Sequence, residues 1–346
     1  MRAVVYRDVG KVEVAEVSDA ELVDPTDAIV RVTTTSICGS DLHLYHGKAP
    51  LEPGDGIGHE AVGVVEAVGP AVERFSPGDR VVVSFTIACG RCWFCRAGQT
   101  QLCDDYAYFG YGIFGGSLGG AQAERLRVPL ADVNMLPVPG DVDDERAMFV
   151  GDALTTGVYA AGLAEIGDGD TVAVVGAGPV GFFCMQAALA AGAREVLAIE
   201  PDTGRLGLAE RAGAVVIDPA ARNAQTAVAE RTEGRGADVV IEAVGSVAAF
   251  ERSLDVARRG GRVVVMGVFT SEVVPAQFGV WWIRALQIRL AGTTPIHTYW
   301  ERAMAEVRAG HIDPLPIVSH RMPLEDAPHA YELFDSKQAT KILLTP

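Results

Sequence analysis

Four of the six cysteines in this 346-residue chain crowd into one stretch, ACGRCWFCRAGQTQLCDD, as Cys89, Cys92, Cys95 and Cys103. Thiols at such spacing form a disulfide knot, a metal site or a redox centre. Disulfides suit small secreted domains that lack a core. This chain is 49% hydrophobic and long enough to bury a core unaided. Its opening, MRAVVYRDVG, has no apolar leader segment and reads as a first strand. A reducing, cytoplasmic compartment is therefore expected, with free thiols. Cys-x2-Cys-x2-Cys-x7-Cys can place four thiolates around one tetrahedral zinc, leaving no position for substrate. The expectation is a closed structural zinc. An iron–sulfur cluster or a redox relay is the alternative.

A second set of soft ligands is split between SICGSDLHLYHG and GIGHEAVGVVEAVG. Cys38 and His59 form a candidate zinc pair from two separate loops. A catalytic zinc takes three protein ligands and keeps one position open. The third ligand is either Glu60, beside His59, or Asp152 in VGDALTTGVYAAG, just ahead of a small-residue helix.

A third constellation binds phosphate rather than metal. VVGAGPVG supplies Gly176, Gly178 and Gly181, with Pro179 and Val180 opening the helix that follows. The run follows a buried strand and sits in a βαβ unit with an acid, Glu200, at the end of the next strand. Gly176 permits the tight turn, Gly178 admits the pyrophosphate to the backbone, and Gly181 lets helix and strand pack closely. Free N–H groups at the helix start attract the phosphates. Glu200 can accept hydrogen bonds from the adenosine ribose hydroxyls and would repel a 2′-phosphate, so NAD is favoured over NADP. Arg205 lies nearby and offers the opposite charge. Cys184 falls in the apolar helix and reads as core.

These residues need elements to position them. Up to about residue 150, short β-branched runs alternate with glycine and proline: AIVRVTTTSI, GVVEAVG, DRVVVSF and AERLRVP read as strands. Beyond it, TVAVV, EVLAIE, DVVIEAVG and GRVVVMGV read as buried strands, with helical DTGRLGLAERAG and VAAFERSLDVARR between them. That alternation means a parallel α/β sheet. After about residue 290, YWERAMAEVRAG and LEDAPHAYELFDS read as helices and TKILLTP as a closing strand that returns to the first domain.

Composition narrows the partners. Asp plus Glu number 45 against 29 Lys plus Arg, a net charge of -16. So acidic a chain repels phosphate backbones and anionic membranes, which argues against a nucleic-acid or membrane partner. No apolar run reaches the ~20 residues of a membrane helix.

GHEAVGVVEAVGPAV matches the G-H-E-x2-G-x5-G-x2-V zinc signature, and the chain resembles the zinc-dependent medium-chain dehydrogenase/reductase family over nearly its whole length. The four-cysteine lobe, CGSDLH and the later glycine turn carry the same resemblance. It implies a GroES-like, mostly β catalytic domain from residues 1–150 and 291–346, with a structural zinc lobe at 88–104, and a Rossmann domain at 151–290. Cys38 and His59 look like catalytic zinc ligands. Asp152 departs from the cysteine of many relatives and is similar to the formaldehyde dehydrogenase-like branch. Glu60 matches a residue that lies behind the zinc and ligates it transiently. Asp41 looks like the carboxylate that orients the ligand histidine. Ser40 and His43 resemble the two ends of a proton relay, and Phe85 a substrate-pocket aromatic. Thr156, Val244 and Val268 fall where relatives contact the nicotinamide.

The resemblance implies two Zn2+ per chain, NAD as cofactor, a small alcohol or aldehyde as substrate, and a homodimer or homotetramer. The expected reaction is hydride transfer between an alcohol and NAD. Rival readings are a formaldehyde dehydrogenase or aldehyde dismutase, a polyol or threonine dehydrogenase, and a catalytically silent, crystallin-like NAD-binding protein. The aromatic, glycine-rich YAYFGYGIFGG leans the substrate towards apolar or aromatic alcohols.

Overall fold

The computed structural model describes residues 1–269 and 273–346. The chain forms two compact units: Met1–Thr155 with Pro295–Arg308 and Asp313–Pro346, and Thr156–Thr294 with Ala309–Ile312. The breaks fall at Thr155/Thr156, inside the helix Ala153–Leu163, and at Thr294/Pro295, a few residues beyond the expected 150 and 290.

In the first unit the central strand is Ala28–Ser36. It pairs antiparallel with Ala61–Val68 and Arg125–Val128 along its length, and with the chain's last strand, Ile342–Thr345, at its end. Arg80–Val83 and Met135–Pro137 continue the sheet on one side and His320–Pro323 on the other. Val30, Val32, Val65, Val81, Val83 and Phe109 fill one face as a single apolar cluster. The strands are rich in β-branched residues, which suit a sheet, and long consecutive stretches of them are buried. On the other side Tyr331, from helix Ala327–Asp335, is fully buried among Val4, Ile37, Ile57 and Leu344.

The second unit is a six-stranded parallel sheet. Its spatial order is Val215–Ile217, Glu195–Ile199, Thr171–Val175, Ala237–Glu242, Ala257–Val265 and Gln287–Leu290. Every residue of Thr171–Val175 and Ala237–Glu242 is buried, as expected for central strands covered on both faces. The chain builds three strands outwards in one direction, then returns and builds three in the other. The order therefore reverses between Thr171–Val175 and Ala237–Glu242, and such a reversal opens a ligand crevice at the carboxyl ends of the strands. Val215–Ile217 and Gln287–Leu290, one at each edge, are short and have no strong alternation, so the sequence reading omits both.

Candidate active site and metal centres

The strand Ala28–Ser36 ends just before Cys38, and the short helix Asp41–Tyr45 begins just after it. Asp41 is buried and accepts the Cys38 N–H at 2.9 Å, which fixes the direction of the thiol. His59 precedes the strand Ala61–Val68, and its Nδ1 lies 3.0 Å from Asp41 Oδ1. Asp152 follows the tight turn Phe149–Gly151. Its Oδ2 lies 3.7 Å from Cys38 Sγ and 3.3 Å from His59 Nε2. A tetrahedral zinc with ordinary bond lengths would separate a sulfur and an oxygen ligand by about 3.6 Å, and a nitrogen and an oxygen ligand by about 3.4 Å. All three ligand atoms lie within 4.8 Å of one another, so the donor set fits a three-ligand zinc with one position open.

Burial pulls the His59 imidazole down, but the carboxylates of Asp41 and Asp152 outweigh it and raise its pKa well above the ordinary histidine value. Two acids facing one buried ring thus build a pocket that calls for a cation.

Glu60 stands apart from this group. Its Oε2 accepts from Ser36 Oγ and from Lys341 Nζ. Glu60 and Lys341 are both fully buried. Burial opposes the Lys341 charge, but Glu60 and then Cys38 outweigh it and raise its pKa. Of the two candidates for third ligand, Glu60 therefore lies outside the grouped donor atoms of Cys38, His59 and Asp152, its carboxylate turned to an ammonium on the closing strand.

Ser40 Oγ lies 3.4 Å from His59 Nε2, within the ligand group. His43 is partly buried on the following helix and meets Ser40 only through a backbone bond, His43 N–H to Ser40 O at 3.0 Å. Phe85 and Tyr111 pack on the His59 ring with centroids at 5.8 and 6.0 Å, and Tyr108 packs on both at 6.2 and 5.5 Å. The Tyr111 hydroxyl bonds Ser40, and burial pushes that phenol up to about 12. Tyr108 and Tyr111 lie in the aromatic run noted in the sequence, yet nothing in their spacing marks them out. Gln122 was equally silent: it donates to Ser36 O at 2.9 Å and accepts from Tyr331 Oη at 3.0 Å, closing the site from behind.

In the cysteine lobe all four thiols are free and their sulfurs gather within 4.8 Å. Cys89 and Cys95 sulfurs are 4.0 Å apart, near the ~3.8 Å of a tetrahedral zinc thiolate site. Backbone N–H groups of Cys89, Cys92, Cys95 and Asp105 point at sulfurs from 3.2 to 3.4 Å. The Asp104 and Cys95 N–H groups hold the Cys92 thiol down to about 7. That wrapping stabilises thiolates and suits a closed metal site.

The lobe is tied to its own unit by helix Ile296–Arg308. Thr298 donates to Gly98 O at 2.8 Å, and His297 Nε2 bonds Asn134 Oδ1 at 2.8 Å, the oxygen that also accepts the Ala88 N–H. Burial pushes His297 down to about 4 from 6.5. The folded state thus holds it neutral while the unfolded chain binds a proton. Its contribution is complete above pH 6.5 and lost as pH falls towards 4. We expect His297→Gln to flatten that part of the stability curve, measured as melting temperature against pH beside the wild type.

In the second unit, Gly176 adopts φ +98 and leads into helix Pro179–Ala190, capped by Gly178. A Cβ on Gly181 would come 2.0 Å from Gly176 O, so only glycine allows that helix to meet the turn. Glu200 is buried, accepting the Ala177 N–H at 2.8 Å and the Asp202 N–H at 2.9 Å. It braces the glycine turn as well as ending its strand. Arg205 reaches towards Gly178, with a guanidinium nitrogen 4.0 Å from where a Cβ would stand. Val244 and Val268 are exposed at 52% and 63%, apolar side chains at the carboxyl ends of two central strands. Thr156 is buried and shares a 2.8 Å bond with Thr294. Cys184 is fully buried, its thiol pushed up to about 12 by burial, and is core.

The alcohol dehydrogenase GroES-like domain family matches residues 24–139, and the zinc-binding dehydrogenase family matches residues 179–308. The zinc-type alcohol dehydrogenase-like protein AdhB of Bacillus subtilis is 37% identical, with 100% of each chain covered. The solved structure of alcohol dehydrogenase TADH from Thermus sp. ATN1 is 44% identical, with TM-score 0.97 over 100% of this chain and 99% of that one. A zinc-binding dehydrogenase from Sinorhizobium meliloti, solved with NADP, is 32% identical, with TM-score 0.89 over 100% and 99%. A GroES-like unit with an open Cys–His–Asp site, a parallel-sheet unit with a dinucleotide turn, and full-length relatives together lead to one conclusion: the chain belongs to the zinc-dependent medium-chain dehydrogenase/reductase family, as a zinc-type alcohol dehydrogenase-like oxidoreductase.

Proposed function

We propose that this enzyme interconverts alcohols and their aldehydes or ketones with NAD, at a catalytic zinc held by Cys38, His59 and Asp152. The observation that carries the reading is the 3.3 and 3.7 Å spacing of Asp152 from the other two ligands. Zinc bound there supplies a Lewis acid and NAD the hydride acceptor. Asp41 holds Cys38 and His59 in place. Ser40, beside His59, takes the hydroxyl proton, and His43 is the outer end of the relay, although its side chain does not itself bond Ser40. Phe85, Tyr108 and Tyr111 form an apolar wall that excludes water and favours bulky or aromatic alcohols. The cysteine lobe holds a second, structural zinc. A steady-state screen of aliphatic, aromatic and polyol substrates with both cofactors tests the reading. No turnover on any alcohol by zinc-loaded protein would overturn it.

The preference for NAD rests on Glu200. A carboxylate bonded to ribose hydroxyls contributes roughly 1.5–3 kcal/mol for a charged hydrogen bond. A phosphate in its place would meet a buried anion. We expect catalytic efficiency with NAD to exceed that with NADP at least about tenfold, since 1.4 kcal/mol is one decade. Glu200→Gln should narrow the gap while keeping an acceptor for the Ala177 N–H. Equal efficiency in the wild type would instead assign the choice to Arg205.

The edge strand Gln287–Leu290 and the helix Phe278–Ile283 support a homodimer or homotetramer. Leu290, Phe278 and Trp282 are each more than 70% exposed, and an open strand edge pairs readily with a second copy. Among the described residues no helix is long and apolar enough to cross a membrane. With its free thiols, the chain is read as a cytoplasmic enzyme.

A further inference from the structure

Glu242 is the last residue of the central strand Ala237–Glu242 and is fully buried. Burying a charge or an unpaired polar atom is costly unless it is paired or hydrogen-bonded. Its Oε1 accepts the N–H groups of Val244 at 2.9 Å and Gly245 at 2.8 Å. Its Oε2 makes no full hydrogen bond among the described residues but faces the Gly267 N–H, and a Cβ on Gly267 would come 2.6 Å from it. Burial raises the Glu242 pKa against the pull of the Gly245, Val244 and Gly267 N–H groups.

The carboxyl group therefore sits in the crook of two loops. One follows Ala237–Glu242 and carries Val244. The other follows Ala257–Val265 and carries Val268. The loops touch backbone to backbone at two glycines. A Cβ on Gly267 would come 2.0 Å from Gly245 N, and one on Gly245, at φ +80, would come 2.4 Å from Val268 O. Val244 also packs on the dinucleotide turn, with its Cγ2 2.5 Å from a Cβ position on Gly176. One buried side chain thus bonds the backbone of the loop of Val244 and lies against the loop of Val268 at Gly267.

Both loops emerge at the carboxyl ends of the second three-stranded half of the sheet. In a doubly wound sheet each half takes one mononucleotide. The half with the glycine turn and Glu200 takes the adenosine part, which leaves this half for the nicotinamide part.

We propose that Glu242 is a positioning residue that fixes the loops of Val244 and Val268 and thereby sets the affinity of the nicotinamide half of the cofactor. The proposal rests on the reading of the second unit as a nicotinamide dinucleotide site. Glu242→Gln keeps an acceptor for Val244 and Gly245 but turns an amide N–H towards Gly267, itself a donor. The loops then spend less time correctly spaced, and apparent affinity falls with the competent fraction.

The test compares two probes by calorimetry on zinc-replete protein: NADH, which spans both halves, and ADP-ribose, which lacks the nicotinamide ring. For Glu242→Gln we expect the NADH Kd to rise about tenfold, the change if a tenth of the molecules stay competent, and the ADP-ribose Kd to stay within about twofold. Glu242→Asp keeps the charge with a shorter reach and should fall between the variant and the wild type. Equal weakening of both probes, or no weakening of either, would overturn the proposal. So would failure of both variants to fold, which would make Glu242 purely structural. Wild-type protein that binds neither probe would refute the dinucleotide reading itself, a separate result.

Discussion

Asp152→Ala will fold, keep the metal of its cysteine lobe, and lose turnover by at least about 100-fold. Removing only the partner that supports a ligand costs 10–100-fold in metal affinity or activity, and removing the ligand itself costs more. Asp152 is only 13% exposed, but it lies at a turn rather than in the packed sheet, so its loss leaves no large cavity. The same change removes one of the two carboxylates that balance the His59 ring. Zinc content should fall from two per chain towards one, with an unchanged circular dichroism spectrum. Normal turnover with two zinc ions retained would return Glu60 to the role of third ligand. Glu60→Ala makes the informative contrast. It strands the Lys341 ammonium in the core, and an unpaired buried charge destabilises by about 3–5 kcal/mol. That variant should lose stability first and activity as a result.

Cys92→Ser should have the larger effect on folding. A structural zinc contributes about 10–16 kcal/mol of apparent binding energy in isolated zinc-binding peptides, and that energy is folding energy for the segment it orders. The lobe's own apolar cluster is small, containing Ala88 and the cysteines with Tyr106 and Leu130 at its margin. A serine hydroxyl replaces the thiol that backbone N–H groups hold down to about 7. We expect purified Cys92→Ser to carry close to one zinc, to expose the lobe to protease, and to melt well below the wild type. Substrate KM in the surviving folded fraction should change little. An unchanged zinc count of two would show that the lobe does not hold the second metal.

Local chemistry was legible in the sequence. The cysteine spacing, the glycine turn and the signature around His59 each span a few residues, and their geometry is dictated by neighbours on the chain. The placement of Glu60 away from Cys38 and His59 was not, because it involves Lys341, 281 residues from Glu60. No periodicity or spacing announces such a pair. Ser36 was hidden for a different reason: it reads as an ordinary strand residue, and its hydroxyl matters only because the strand pleat turns it to Glu60. Glu200 was read as a ribose acceptor, and only the fold shows that its two oxygens also hold the backbone at Ala177 and Asp202. The valine-rich strands were clear, whereas the short edge strands Val215–Ile217 and Gln287–Leu290 carry too few residues for a pattern. Tyr111 needed the path of its loop before its ring could be set against His59.

The pairing of Ile342–Thr345 with Ala28–Ser36 places a constraint on biosynthesis. Chains emerge from the ribosome at about 5–20 residues per second, and domains fold as they appear. The parallel-sheet unit is contiguous apart from a four-residue return, so its six strands can assemble while the tail is still being made. The metal-binding unit cannot close its sheet until Ile342–Thr345 is released from the exit tunnel, nor can Glu60 find its ammonium. A nascent chain therefore carries Glu60 without its ammonium for many seconds before Lys341 emerges. The ordered surroundings of Cys38 and His59 can therefore be complete only after Lys341 and Ile342–Thr345 have emerged.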